Sequence, residues 1–258
     1  MKTYLLLFIF FYCFSVNSQD LSEIDEKEIP KEIESINSLI LNEPKADNYY
    51  IRGYYYYQIK NYSKAITDYD KAIALNPNNY KFYYSKGNTN IKLKNYKQAI
   101  EDYTKCIALN ETLQKAYFNR AFSESMINDA KSAIEDYSKA ISLNPKYLQA
   151  YENRGIIKRK LNLHKEAIID FDQVIEINPK FVEAYQYRAI SKAILNINAE
   201  SDFDQVVNLT PEDPEGYYNR AIYFINYKIK RDYCSDLKKA SSLHFEPSIE
   251  LVVKYCKK

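Results

Sequence analysis

Side chains able to carry out chemistry are few and scattered in this sequence of 258 residues. Its two histidines, His164 and His244, lie far apart, and neither belongs to an H-E-x-x-H metal motif. The chain has no G-x-S-x-G nucleophile motif and no C-x-x-C pair, and its four glycines form no phosphate-binding loop. We therefore expect no enzyme activity, no metal site and no cofactor, and we interpret both histidines as surface or connecting residues.

Tyrosine is the abundant side chain with a capacity for binding, since the chain has 27 tyrosines and no tryptophan. They are densest in YYIRGYYYYQIKNYSKAITDYDKAIALNP, residues 49–77. A tyrosine ring offers apolar area with a hydroxyl at its tip, which suits it to interfaces. The same rings could instead pack between helices and reflect an AT-rich genome, because Asn, Lys and Ile are also abundant. Both interpretations stay open at this point.

An internal repeat organises the chain. The segment AITDYDKAIALNP, residues 65–77, recurs three times in steps of 34 residues and then twice more weakly. The later copies are AIEDYTKCIALNE (99–111), AIEDYSKAISLNP (133–145), AIIDFDQVIEINP (167–179), AESDFDQVVNLTP (199–211) and YCSDLKKASSLHF (233–245). Upstream of each copy, a tyrosine is followed four residues later by glycine or alanine. Both halves have helical spacing, so each unit is predicted to be helix A, a tight turn, helix B and a short connection.

This pattern resembles the tetratricopeptide repeat. The family places aromatic residues at positions 4 and 24, small residues at 8, 20 and 27, and proline at 32. The first repeat matches with Tyr49, Gly53, Ala65, Tyr69, Ala72 and Pro77. The resemblance implies an all-α fold, a right-handed solenoid of antiparallel helix pairs with helix A lining a concave face. Small residues let helices approach and aromatics fill the space between units, so Tyr49, Tyr56 and Tyr69 are assigned to the core.

The repeat boundaries follow from this register. Six repeats are predicted at 46–79, 80–113, 114–147, 148–181, 182–213 and 214–246. An acidic leader and a capping helix occupy 19–45, and a second capping helix occupies 247–258. In the second cap, Ile249, Leu251, Val252 and Tyr255 are expected to cover the last apolar face. The fifth repeat lacks two residues, and its turn near Leu195 to Asn198 is expected to be shorter or distorted.

Charged residues also repeat. Position 23 is always aspartate and position 7 is always basic; the aspartates are Asp68, Asp102, Asp136, Asp170, Asp202 and Asp236. A charged track for a ligand is one interpretation. We favour a ladder of ion pairs that fixes the register of the helices, each exposed pair contributing about 0 to 1 kcal/mol.

Three cysteines follow the N-terminal region. Cys234 and Cys256 each lie eleven residues from Phe245, so an antiparallel helix pair turning there would place them at one level. A disulfide between them is predicted for an oxidising compartment, with two buried thiols as the alternative. Cys106 takes the place of an alanine and is interpreted as a small core residue.

The N-terminus indicates export. Lys2 precedes the apolar run Tyr4–Phe14, which is too short for the roughly 20 residues of a spanning helix. We predict a signal peptide at 1–18, a periplasmic or secreted protein without membrane insertion after cleavage, and no lipidation of Cys13. The signal resembles those of Bacteroidota.

A net charge of +2 gives no broad basic field, so nucleic acid is not expected as a partner.

In the resembled family, positions 5, 6, 9 and 12 of helix A point into the concave groove, and an asparagine at position 6 holds the backbone of a bound peptide. The groove candidates by this register are Tyr50, Tyr54, Tyr57, Tyr84, Asn88, Phe118, Asn119, Phe122, Glu152, Asn153, Arg159, Tyr187, Tyr218 and Asn219. Position 5 is not basic in the first four repeats, so the carboxylate clamp of chaperone-binding relatives is not expected.

These observations favour a non-catalytic scaffold that binds a protein or peptide segment in the groove. Two other functions stay open. The tyrosines could stack on a glycan or cell-envelope polysaccharide, or an uncovered repeat face could join copies of the chain into an assembly.

Overall fold

The computed structural model describes residues 27–256, and every regular element in that range is an α-helix. The predicted signal peptide and the start of the acidic leader lie outside the described residues. Residues 27–256 contain the helices α1 Ile29–Asn42, α2 Ala46–Gln58, α3 Tyr62–Leu75, α4 Tyr80–Lys92, α5 Tyr96–Leu109, α6 Gln114–Met126, α7 Ala130–Leu143, α8 Leu148–Lys160, α9 His164–Ile177, α10 Val182–Ile194, α11 Glu200–Leu209, α12 Pro214–Asn226, α13 Tyr233–Ser242 and α14 Glu246–Tyr255. The predicted all-α fold of consecutive helix pairs is confirmed.

The chain divides into two compact units, residues up to Leu109 and residues from Asn110 onward. Within each unit every helix packs on the next, and alternate helices such as α2 and α4, or α6 and α8, also touch. Because alternate helices touch, the A helices of neighbouring repeats lie side by side. We call the surface made by α2 and α4 in the first unit, and by α6, α8, α10 and α12 in the second, the A-helix face of that unit. No helix within residues 27–256 has both the length and the apolar character of a membrane span.

Helix A ends in the same backbone turn in every repeat. One residue of each turn has a φ between 52° and 64°, and these residues are Lys60, Lys94, Asn128, Asn162, Asn196 and Lys228. Left-handed residues terminate helices because they redirect the chain while satisfying the last carbonyls. In the first repeat Asn61 then begins helix B, its side chain accepting a hydrogen bond from the Lys64 amide.

Small residues permit the close packing that the repeat pattern predicts. Ala65 and its equivalents Ala99, Ala133 and Ala167 are completely buried. At Gly53 a Cβ atom would lie 2.8 Å from Cε1 of Tyr69, so α2 and α3 pack closely only because position 8 lacks a side chain there. Tyr69 itself is 1% exposed, as predicted for position 24.

The tyrosine run of α2 differs from the prediction. Tyr55, which was not assigned to the core, is buried, whereas Tyr49 and Tyr56 are only half-buried. The cause is α1, whose Ile33 and Ile36 form an apolar cluster with Tyr55. A capping helix outside the repeat pattern therefore decides which tyrosine is enclosed.

The fifth repeat is shortened in helix B rather than in the turn. Helix α10 keeps the usual length and its left-handed Asn196, but α11 begins only at Glu200 and has 10 residues, where α9 has 14. The turn expected to be shorter or distorted is altered but not shorter, because the deletion removes the first turn of helix B and leaves five residues between α10 and α11, where three separate α8 from α9. The amide of the buried Ala199, just before α11, donates instead to the Tyr223 hydroxyl at 3.0 Å.

The repeated charges form ion pairs within each repeat. Arg154 donates to both carboxylate oxygens of Asp170, at 3.1 and 2.6 Å, and the Asp170 side chain is fully buried. Equivalent bidentate pairs are Arg52–Asp68, Arg120–Asp136, Arg188–Asp202 and Arg220–Asp236. The ladder is present, but treating its pairs as exposed is wrong, because the two helices close over each aspartate.

The last helix is joined to the sixth repeat by a disulfide between Cys234 and Cys256. Of its four predicted covering residues, Leu251 and Val252 are half-buried and the other two are exposed. Ile249 and Tyr255 are 48% and 37% exposed, whereas Ser248 is buried. Helix α14 therefore packs through the side that carries Ser248, and Ile249 and Tyr255 do not serve as covering residues.

Candidate functional site

In the first unit, the predicted groove tyrosines contact neighbouring side chains, some of them in the core. Tyr50 lies 5.0 Å from Phe82 between ring centroids, and its hydroxyl is 3.4 Å from the Ser85 hydroxyl. Tyr57 contacts Tyr62 at 5.6 Å. All three predicted tyrosines of α2, which include Tyr54, are half-buried, so their rings are both packed and partly accessible.

The candidates on α4 are also engaged by the fold. Tyr84 makes an edge contact with Tyr103 at 5.9 Å. The Asn88 side-chain oxygen accepts a 2.7 Å hydrogen bond from the Tyr103 hydroxyl. This acceptor is used inside the repeat.

In the second unit, aromatic candidates stack between neighbouring helices. Phe118 stacks on Tyr147 at 4.9 Å, and Tyr218 contacts Phe245 at 5.1 Å. Tyr187 contacts both Phe171 and the Arg159 guanidinium, at 5.5 and 5.0 Å. The two predicted asparagines of α6 and α12, Asn119 and Asn219, are half-buried on the same face.

A pocket of about 410 Å³ opens on the A-helix face of the second unit, between α6, the start of α7 and α8. It is lined by Phe122, Ser125, Met126, Asn128, Ala130, Tyr137, Asn153, Ile156, Ile157, Lys160 and Leu161. Two predicted groove residues, Phe122 and Asn153, are brought together here. Ser125 and Asn153 lie within hydrogen-bonding reach of the Tyr137 hydroxyl, whose pKa is raised by burial.

The pocket exists because two positions carry small side chains in the third repeat. Ser125 is at position 12 and Ala130 at position 17, where the first repeat has Tyr57 and Tyr62 in ring contact. In the second and fourth repeats at least one of these positions carries a large side chain. Sequence reasoning missed the pocket, although comparing position 17 across the repeats could have indicated it.

The basic end of α8 lies beside this pocket. Lys158 pairs with the buried Asp170 at 2.8 Å, and the Arg159 Nε is buried with no hydrogen-bond partner among the described residues. Lys160 is exposed and lines the pocket, and no described residue forms an ion pair with it. At the other end of α8, burial and the neighbouring Glu183 raise the pKa of Glu152.

A second feature missed from the sequence is the buried acid Glu124 on α6. It is 7% exposed, and its Oε2 has no hydrogen-bond partner within residues 27–256. Burial, followed by the charge of Asp136, raises the pKa of Glu124 to about 7, and Arg120 opposes this only partly. The equivalent residues Lys158 and Lys192 instead pair with the aspartate of their own repeat.

The histidines do not converge. His164 is buried at the start of α9, contrary to the surface position expected for it. Its position in the repeat is at least half-enclosed in all of the first four repeats, as Ala130 in the third repeat shows. His244 is exposed in the turn before α14, with a φ of 63°. Within the described residues, no group of three or more His, Cys, Asp or Glu side chains could hold a metal ion.

Comparison with known proteins identifies the repeat. Family models of the tetratricopeptide repeat match residues 46–79, 80–113, 114–147 and 148–181, together more than half of the chain. No curated protein sequence matches it significantly.

Solved structures share the fold. A MamA protein structure is 25% identical, with a TM-score of 0.62 over 66% of this chain and 94% of MamA. The C-terminal part of a repeat protein from Cytophaga hutchinsonii is 17% identical, with a TM-score of 0.76 over 86% and 94% of the two chains. YrrB is 19% identical, with a TM-score of 0.65 over 73% and 98%. The chain belongs to the tetratricopeptide-repeat family.

Proposed function

We propose that this chain is a non-catalytic interaction module that binds a segment of a partner protein on the A-helix face of its second unit. The observation that carries the proposal is the pocket between α6 and α8. Protein ligand sites are typically concave, mostly apolar and supplied with a few polar groups, which describes this pocket with its Asn153 and Tyr137.

Two further observations support a polypeptide ligand. The same face carries half-buried aromatic and amide side chains, which provide contact area and hydrogen bonds for an extended chain. YrrB, described as a repeat protein with an unusual peptide-binding site, has the same fold, so a peptide ligand is compatible with this architecture.

We also propose that the protein works in an exported, oxidising compartment. The apolar run Tyr4–Phe14 after Lys2 and the disulfide between Cys234 and Cys256 support this, since structural disulfides persist mainly outside the cytosol. Mass spectrometry of the native protein from fractionated cells is expected to find it beginning at Gln19 in the exported fraction. Full-length protein in the cytosol would refute export.

Site-specific photocrosslinking in living cells tests the binding face. A benzoylphenylalanine replaces Phe122 on the A-helix face, and in a matched control it replaces Ile169, which is 61% exposed on a B helix. We expect a protein adduct from position 122 and none from 169. Adducts from 169 alone would contradict the proposal, and adducts between two copies of this chain would favour self-assembly instead.

A further inference from the structure

The pocket of the second unit has a shape and a chemistry that specify part of its ligand. Its walls include Phe122, Met126, Ile156 and Leu161, so the greater part of the surface that a ligand would contact is apolar. A volume of about 410 Å³ exceeds what one ordered water needs and lies in the range of ligand sites. The pocket is large enough to enclose a bulky side chain.

The repeat itself provides a comparison for what fills such a space. In the first repeat, Tyr57 and Tyr62 meet at 5.6 Å where the third repeat has Ser125 and Ala130. The third repeat thus lacks two large rings that the chain supplies elsewhere. A side chain from a partner can take their place and bury apolar surface, at roughly 25 cal/mol per Å².

Charge decides what lies beside that side chain. No aspartate or glutamate lines the pocket, and Lys160 at its edge is exposed and has no ion-pair partner among residues 27–256. Glu152 lies toward the opposite end of α8, roughly 12 Å from Lys160 at 1.5 Å per helical residue, and Glu183 of α10 is near it. A ligand carboxylate is therefore attracted to the Lys160 end and repelled from the other.

Resting on the proposed function, we propose that the pocket receives a bulky apolar side chain of an extended partner segment, and that an acidic residue within two positions of it pairs with Lys160. The Asn153 amide lies in the pocket beside the Tyr137 hydroxyl and can hydrogen-bond the backbone of the segment. The partner class is thus an acidic segment with one large apolar anchor.

Selection of random dodecapeptides displayed on phage, against the purified full chain, tests this proposal. We expect enrichment of Leu, Ile, Met or Phe with Asp or Glu within two positions. Enriched peptides are then synthesised with a fluorescent label, and their dissociation constants are measured by anisotropy. Enrichment without an apolar residue, or without an acidic one, would overturn the proposal.

Variants of the pocket separate its role from that of the whole face. Ala130→Tyr restores the side chain of the first repeat and is expected to weaken binding at least about tenfold, whereas Ala130→Ser keeps the space and the affinity. If Ala130→Tyr does not fold by circular dichroism, Ser125→Ile takes its place, since the second repeat has Ile91 there. If a folded variant with the larger side chain in the pocket keeps its affinity, the proposal that the pocket binds the ligand is overturned.

The pairing of Lys160 with an acidic residue of the ligand is also tested with variants. Lys160→Glu is expected to weaken binding about tenfold at low salt and less at high salt, and the exposed Lys180→Glu serves as its matched control. Some peptides could bind the Ala130→Tyr variant normally but lose affinity for the Asn119→Ala variant. That result would refute binding in the pocket and leave the proposed function intact. A selection that enriches no peptide over an unrelated protein would count against both.

Discussion

In the second to fifth repeats, position 11 of helix A lies beside the buried aspartate of its repeat, and its residue type sets the local charge balance. Lysine there adds a second cation, as Lys158 does beside Asp170, and Asn90 donates a hydrogen bond to Asp102 at 2.8 Å. Glu124 instead adds a second carboxyl group beside Asp136. The repeat pattern predicts the helix face of this residue, but burial and like charge depend on contacts between helices that the pattern does not specify.

The raised pKa of Glu124 predicts a pH-dependent stability. A carboxyl group whose pKa rises from 4.5 to about 7 on folding binds more protons in the folded state, so its contribution is present below pH 4.5 and is lost as pH rises to 7. We expect Glu124→Gln to be more stable than the wild type at pH 8 by about 2 to 3 kcal/mol, and the difference to shrink toward pH 5.

Urea unfolding at pH 5 and pH 8 measures this difference. The matched control is Glu135→Gln, which removes an exposed carboxyl group on the neighbouring helix α7 and should change stability little at either pH. Equal stability of wild type and Glu124→Gln at both pH values would contradict the assignment of a buried, raised-pKa acid.

The ion-pair ladder predicts unequal losses from two aspartates two positions apart. Asp170→Ala leaves Arg154 and Lys158 without their buried partner and should destabilise by about 3 to 5 kcal/mol. Asp172→Ala removes a half-exposed partner of Arg188 and should lose less than about 1 kcal/mol. Denaturant titration compares the free energies of unfolding of the two variants. Double-mutant cycles should give a coupling energy between Arg154 and Asp170 but none between Arg154 and Asp136. Similar small losses would show that burial does not strengthen the pair.

At the scale of elements, the sequence predicted helix pairs because the small and aromatic positions recur in register. The same pattern could not predict the loss of the first turn of α11, since a two-residue deletion leaves open which element absorbs it. Nor could it predict that α1 encloses Tyr55, because α1 lies outside the repeats. The pocket arises from small residues on α6 and α7 together, a coincidence between elements.

The disulfide predicts the behaviour of α14. Closing a chain segment of 22 residues stabilises by about 3 kcal/mol in the chain-entropy account. Helix α14 packs mainly on α13, so Cys256→Ser should raise hydrogen exchange in α14 and leave α1 to α5 unchanged. Mass-resolved exchange of oxidised wild type and variant measures this, and unchanged exchange in α14 would refute a stabilising role for the bond.

At the scale of the whole molecule, family membership follows from sequence alone, while the location of a binding surface does not. Of the predicted groove residues, Asn88, Phe118 and Tyr218 make contacts within the fold, and Phe122 and Asn153 line the pocket. Positions in a repeat determine which face a residue occupies. The neighbouring repeat determines which residues of that face remain available to a partner.

The proposed binding site for a partner is the A-helix face of the second unit. Hydrogen exchange of the purified chain, with and without the partner captured at position 122, tests it most directly. We expect slower exchange on binding in α6, α8 and the start of α7, which lines the pocket, with α9 changed much less. Slower exchange confined to α7 and α9, or to α14, would contradict it.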